Sequence, residues 1–184
     1  MHEGLRAAVT DPLTGLYNRR FASLKLAQTV ADCEATGQSC AVMVIDVDHF
    51  KRVNDILGHA AGDAALVELS ALLQHNLRPE DLLARIGGEE FLVVMPGTHH
   101  SRAQEAANRL RELVDAHPFR LATNAPLQHV TISIGVAVQE PRPHMQRAET
   151  ADLAEALIAR ADTALYRSKR HGRNQVTMSA RTAA

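Results

Sequence analysis

Two strand-like runs, Leu82 to Ile86 and Phe91 to Met95, stand only four residues apart, joined by Gly87-Gly88-Glu89-Glu90. So short a gap closes an antiparallel hairpin, because a parallel pair needs a crossover of a dozen residues or more. The glycine pair supplies the unusual dihedrals that such a turn demands. A tight hairpin in the middle of the chain argues against a doubly wound parallel sheet.

The rest of the chain is read outward from that hairpin. Asp11-Pro12-Leu13-Thr14-Gly15 is a turn, and Arg19 to Thr36 is a helix that stops near Gly37. Ala41-Val42-Met43-Val44-Ile45 is an apolar, β-branched run of the kind that forms a buried strand, and it ends in Asp46-Val47-Asp48. From Gly62 to Leu77, Leu66, Leu69, Leu73 and Leu77 recur at helical spacing. A second amphipathic helix follows the hairpin, with Ala103, Ala106, Ala107, Leu110 and Val114 on one face. Val130 to Val138 is a strand and Pro141 to Arg147 a loop. A third amphipathic helix carries Ala154, Leu157, Ile158, Ala161 and Leu165, and leads to a short strand near Gln175 to Met178. The order strand, two helices, hairpin, helix, strand, helix, strand predicts an α+β fold. Its mainly antiparallel central sheet has about five strands and is flanked by helices.

Composition narrows the function classes. At 46% hydrophobic and 22% charged, 184 residues make one soluble globular domain. Twenty basic and 21 acidic side chains give no electrostatic case for wrapping nucleic acid or lying on an anionic membrane. No apolar run approaches the ~20 residues that span a bilayer, and Met1-His2-Glu3-Gly4-Leu5-Arg6 lacks a signal-peptide core. Cys33 and Cys40 match no metal or redox spacing, which suits reduced thiols in the cytoplasm. His99 and His100 have no companion ligands at a recognisable spacing and read as surface residues at a helix start.

The chemistry lies in the acidic residues. Two adjacent glutamates in a turn are ordinarily just solvated. Asp46 and Asp48, however, end a strand of similar length to those of the hairpin. If that strand neighbours the hairpin, three or four carboxylates, drawn from Asp46, Asp48, Glu89 and Glu90, converge on one spot. Such clustering is costly without a cation, and an all-oxygen set favours Mg²⁺ or Mn²⁺ over Zn²⁺.

Gly87-Gly88-Glu89-Glu90-Phe91 resembles the signature of the GGDEF family of diguanylate cyclases, in the variant with Glu at the third position. Asp11-x-x-Thr14-x-Leu16-x-Asn18-Arg19 is similar to that family's opening motif. Asp46-Val47-Asp48-His49-Phe50-Lys51-x-x-Asn54-Asp55 and Gly58-His59-x-x-Gly62-Asp63 resemble its metal and guanine segment. Ala161-Asp162-x-Ala164-Leu165-Tyr166-x-x-Lys169-x-x-Gly172-Arg173-Asn174 resembles its closing motif. The resemblance implies a domain over residues 11–178, preceded by the end of a linker helix (1–10) and followed by a tail (179–184). It implies an upstream sensory or receiver module outside this chain.

The resemblance also implies an activity: two GTP molecules condense into cyclic di-GMP with loss of two pyrophosphates, at the interface of a transient, two-fold homodimer. Asp46 and Glu89, with the Val47 carbonyl, would hold the metals. Asn54 and Asp63 would read the guanine base, and His49 and Phe50 would offer backbone N–H groups to the phosphates. Lys169 and Arg173 would neutralise the terminal phosphates, with help from Lys51. Glu89 would assist loss of the attacking hydroxyl's proton, and Glu90 would organise the site. Arg78 and Asp81, five residues before the glycine pair, match the family's Arg-x-x-Asp product-inhibition motif. There Arg78 would fork onto a phosphate or a guanine edge, Asp81 would accept from guanine N–H groups, and Arg109 would support both. Each residue also has a structural reading: Lys169 and Arg173 favour a helix C-terminus, and Asn54 or Asp63 can cap a helix. Three rival functions are a catalytically silent module that binds GTP or cyclic di-GMP, a cyclase with a mixed dinucleotide product, and a purely structural interaction domain whose Gly-Gly-Glu-Glu tip is a solvated turn. Asp63 favours guanine over adenine.

Overall fold

The structure is a computed structural model, and it describes residues 8–142 and 147–181. The expected linker helix, the Pro141–Arg147 loop and the C-terminal tail therefore fall partly outside the described residues. In chain order the elements are β1 (Tyr17–Asn18), α1 (Arg19–Thr36), β2 (Cys40–Val47), α2 (Phe50–Leu57), α3 (His59–His75), β3 (Leu82–Arg85) and β4 (Glu90–Pro96). There follow α4 (His100–Ala116), β5 (Pro118–Phe119), β6 (Gln128–His129), β7 (Ile132–Gln139), α5 (Arg147–Arg170) and β8 (Val176–Met178). Asn18 caps α1, its side-chain oxygen accepting from the Phe21 N–H at 3.0 Å.

The α+β expectation holds, with a six-stranded sheet in the order β1-β3-β4-β2-β7-β8 and a separate two-stranded β5-β6 pair. Its four central strands are antiparallel, whereas β1 pairs with β3, and β8 with β7, in parallel. The sheet is thus mixed, and it carries one strand more than expected. The parallel edge at β8 exists because α5 supplies the crossover that a parallel pair requires.

All eight residues of β2 are buried, hence a continuous apolar run rather than an alternation. The pleat nevertheless sorts them. Ala41, Met43, Ile45 and Val47 pack in the core under α3 and α4, and Cys40, Val42 and Val44 in the core under α1 and α5. Asp46 continues the second set, so the pleat turns its carboxylate toward α5. On the neighbouring strand β7, Gly135 lies so near α5 that an added Cβ would overlap the backbone of Ala161 and Leu165. Helix and sheet therefore meet backbone to backbone, which sets how α5 lies over Asp46. Among the described residues, no helix is long and apolar enough to cross a membrane.

Candidate active site

Where β2 ends, the chain passes through His49 in the left-handed region (φ 54°, ψ 32°) and enters α2 at Phe50. A left-handed residue followed by right-handed ones turns successive N–H groups toward one side, forming an anion-binding concavity. Strain of this kind at a non-glycine residue is a mark of functional sites. No side chain caps this helix end. The Phe50 ring is buried in the core, leaving its backbone to the surface. The concavity opens into a cleft of ≈ 590 Å³ whose walls include Asp46, Val47, His49, Phe50, Lys51, Glu89, Lys169 and Arg173. Eight of the residues singled out from sequence thus meet in one place.

Strand pairing explains the acidic residues. Asp46 stands opposite Glu90 on β4 and Ser133 on β7, and the Val47 N–H donates to the Glu89 carbonyl at 3.2 Å. The hairpin tip is thereby held against the end of β2. Lys169 reaches down from α5, its Nζ 2.8 Å from Asp46 Oδ2, with the Asp46 side chain only 7% exposed. Burial pushes the Asp46 carboxyl above the usual range, and Lys169 pulls it part of the way back. Glu89 is raised by burial and then by the charges of Asp46 and Glu90. Glu90 is raised by burial, Asp46 and Asp162.

Asp48 lines the same cleft, and its charge raises Asp46 further, but it is already engaged. Its carboxylate accepts from Ser133 Oγ at 2.6 Å, Thr131 Oγ1 at 2.7 Å and the Asn174 N–H at 2.9 Å. It pins the turn that carries Arg173, so the fourth carboxylate of the group is also a brace. Among the described residues, no three His, Cys, Asp or Glu side chains form a preset metal cage; Asp46 is paired with Lys169 instead. The donor chemistry still fits a hard divalent cation, because it is all oxygen and carries mutual repulsion that such an ion relieves.

The tip is held by residues to which sequence reading assigned no role. Arg85 donates to the Gly88 carbonyl through Nε (3.1 Å) and Nη2 (2.8 Å), and to both Asp11 oxygens through Nη1 (3.1 and 3.2 Å). Asp11 in turn accepts from the Thr14 hydroxyl and N–H. Burial raises its carboxyl, but the bonds from Thr14 and Arg85 prevail and hold it below the usual range. Arg19 donates to the Ile86 carbonyl at 3.3 Å. The opening motif is therefore a scaffold for the hairpin tip. Asp162, two helical turns before Lys169 on α5, has its carboxyl raised by burial against the opposing charges of Arg19 and Lys169.

Asn54 and Asp63 lie outside the lining of this cleft, on adjoining helices α2 and α3. Asn54 is half-buried and Asp63 exposed, and Asp63 sits inside α3 rather than at its cap. The Asn54 side chain rests directly over Gly62, where any Cβ would overlap its Oδ1. That close approach accounts for glycine at this position.

The Arg78, Asp81 and Arg109 trio meets at a second pocket of ≈ 560 Å³, at the far end of β4. Here the acid is spoken for. Asp81, its side chain 4% exposed, accepts from Arg78 Nη2 at 2.7 Å, from Arg78 Nε at 3.2 Å and from the Arg78 backbone N–H at 3.0 Å. Arg109 donates to the Asn76 carbonyl at 2.9 Å.

The family model described as "Diguanylate cyclase, GGDEF domain" matches residues 8–175. The chain is 41% identical over 176 residues to the response regulator PleD of Caulobacter vibrioides, covering 96% of this chain and 37% of PleD. It is 41% identical over 172 residues to the diguanylate cyclase DgcP of Pseudomonas aeruginosa, covering 94% of this chain and 24% of DgcP. It thus spans little more than a third of these relatives at most. Among solved structures, the coiled coil and GGDEF domain of DgcB from Caulobacter crescentus in complex with c-di-GMP superimposes with a TM-score of 0.85 at 32% identity. That match covers 96% of this chain and 88% of the other. Fold, motifs and near-complete coverage agree: the chain belongs to the family of diguanylate cyclase GGDEF domains.

Proposed function

We propose that this domain condenses two GTP molecules into cyclic di-GMP. The observation that carries the reading is the single cleft in which carboxylates from two adjacent strand ends face an uncapped helix N-terminus, Lys169 and Arg173. One wall suits a divalent cation and the other suits polyphosphate. In this reading Asp46, Glu89 and the Val47 carbonyl hold Mg²⁺ or Mn²⁺. The chemistry such a cation supplies when bound is a lowered hydroxyl pKa and shielding of the α-phosphate and leaving group.

The chain's own groups do the positioning on which phosphoryl transfer depends. The N–H groups of His49 and Phe50 cradle phosphate oxygens, and Lys169, Arg173 and Lys51 neutralise the terminal phosphates. Taking up substrate frees Lys169 from Asp46, exchanging one ion pair for two. Asn54 and Asp63 read the guanine, and a carboxylate suits its N1–H and exocyclic amine. The 3′-hydroxyl of one GTP attacks the α-phosphate of the other; an O–P bond forms, the bond to pyrophosphate breaks, and Glu89 assists departure of the hydroxyl proton. Glu90 organises this end of β4. A second, identical step closes the ring.

One cleft holds one GTP, so two domains must face each other. Pairing raises the effective concentration of the second nucleotide, and we predict weak dimerisation and modest activity for this chain alone. The pocket of Arg78, Asp81 and Arg109 is assigned to product inhibition by cyclic di-GMP. Free thiols at Cys33 and Cys40 suit a reducing, cytoplasmic setting.

The test is incubation with GTP and Mg²⁺, products resolved by chromatography, for the wild type and Glu89→Ala. Cyclic di-GMP from the wild type alone supports the assignment. No product at high protein concentration would replace it with a silent nucleotide-binding module, and a mixed dinucleotide with a different cyclase.

A further inference from the structure

The Arg78 guanidinium is held on two of its three nitrogens. Nε and Nη2 face Asp81, and Nη2 also donates to Thr98 Oγ1 at 2.8 Å and to the Pro96 carbonyl at 3.2 Å. Thr98 is 5% exposed; its hydroxyl donates to the same Pro96 carbonyl at 3.0 Å, and its N–H to the Ser39 carbonyl at 3.1 Å. A guanidinium is planar, so fixing two nitrogens fixes the third. Nη1 is left on the outer edge, 3.5 Å from the exposed carboxylate of Glu80.

We propose that Thr98 is a positioning residue for the inhibitory pocket: its buried hydroxyl holds the Arg78 fork so that the Nη1 edge and the flat face are presented to cyclic di-GMP. Asp81 alone cannot do this, because it lies three residues from Arg78 in the same turn and moves with it. Thr98 and Pro96 tie the fork to the end of β4, across eighteen residues or more of chain. This inference rests on the assignment of the pocket to cyclic di-GMP.

The test measures calorimetric binding of cyclic di-GMP to the 184-residue chain in four forms, with thermal melting of each. Thr98→Val keeps the shape and removes the hydroxyl; it should weaken binding on the order of tenfold with little change in melting temperature. Thr98→Ser should restore affinity to within about twofold, a rescue that bulk packing at this position would not produce. Arg78→Ala, the fourth form, tests the pocket itself. Wild-type affinity in Thr98→Val alongside lost affinity in Arg78→Ala would overturn the role of Thr98 and keep the pocket. Wild-type affinity in both would overturn the pocket assignment as well.

Discussion

The two pockets sit at opposite ends of β4, about 20 Å apart for a strand of this length, and they handle charge in opposite ways. At the Glu90 end, burial raises Asp46, Glu89 and Glu90, and the charge of Asp46 raises both glutamates further, with Lys169 in ion contact with Asp46. At the Pro96 end, the acid and the base of the motif are paired with each other. In the proposed function, the cations taken up with phosphate at the first end relieve its crowded carboxylates. The second is already paired, with Arg78 held by Asp81 and Thr98 and its Nη1 edge facing outward.

The sharpest break in this comparison would come from Glu89→Gln. Product formation should fall more than ~100-fold, while the melting temperature should rise. The sign follows from the raised Glu89 carboxyl: its ionised form is disfavoured in the fold, so its ionisation costs stability as pH climbs from the ordinary carboxylate range through the raised value. Melts between pH 4 and pH 8 should therefore decline less for the variant than for the wild type. A variant that melts lower at neutral pH would refute the stored repulsion.

Arg78→Ala should show the opposite pairing of effects. Cyclic di-GMP binding weakens by about 30-fold or more, and the melting temperature falls, because Asp81 is left buried without its partner. Calorimetry and a melt would check both. Next in size, Arg85→Lys should cut turnover roughly tenfold: an ammonium cannot fork to Asp11 and the Gly88 carbonyl together, and the tip shifts. The smallest effect expected is from Gly62→Ala. Its methyl displaces the Asn54 side chain, and KM for GTP should rise about fivefold, the worth of roughly one hydrogen bond. Steady-state kinetics on these two variants would show whether the tip and the base-reading helices act separately.

Much of this was legible in the chain. Gly37 closes α1, the apolar run before Asp46 reads as buried strand, and the hairpin put Glu89 and Glu90 at its tip. What escaped depended on parity and on distant partners. Alternation would have kept Asp48 with Asp46, but the strand ends at Val47 and the left-handed His49 turns the chain, sending Asp48 to partners more than 80 residues away. Arg85 reads as one more strand residue until Asp11, 74 positions earlier, is seen beside it. Two-residue β1, β5 and β6 carry no period to detect, and the parallel edges follow from how crossovers lie rather than from composition.

The bare contact at Gly135 limits how the charges of the cleft can be rearranged. At Gly135 no side chain separates β7 from α5, and sliding the helix there would drive Ala161 and Leu165 into the strand. The backbone that carries Lys169 is thus held against the sheet, whatever its side chain does. Control of such a cleft is cheapest when it changes what is brought to the cleft, such as a second domain, and most costly when it bends the cleft from within.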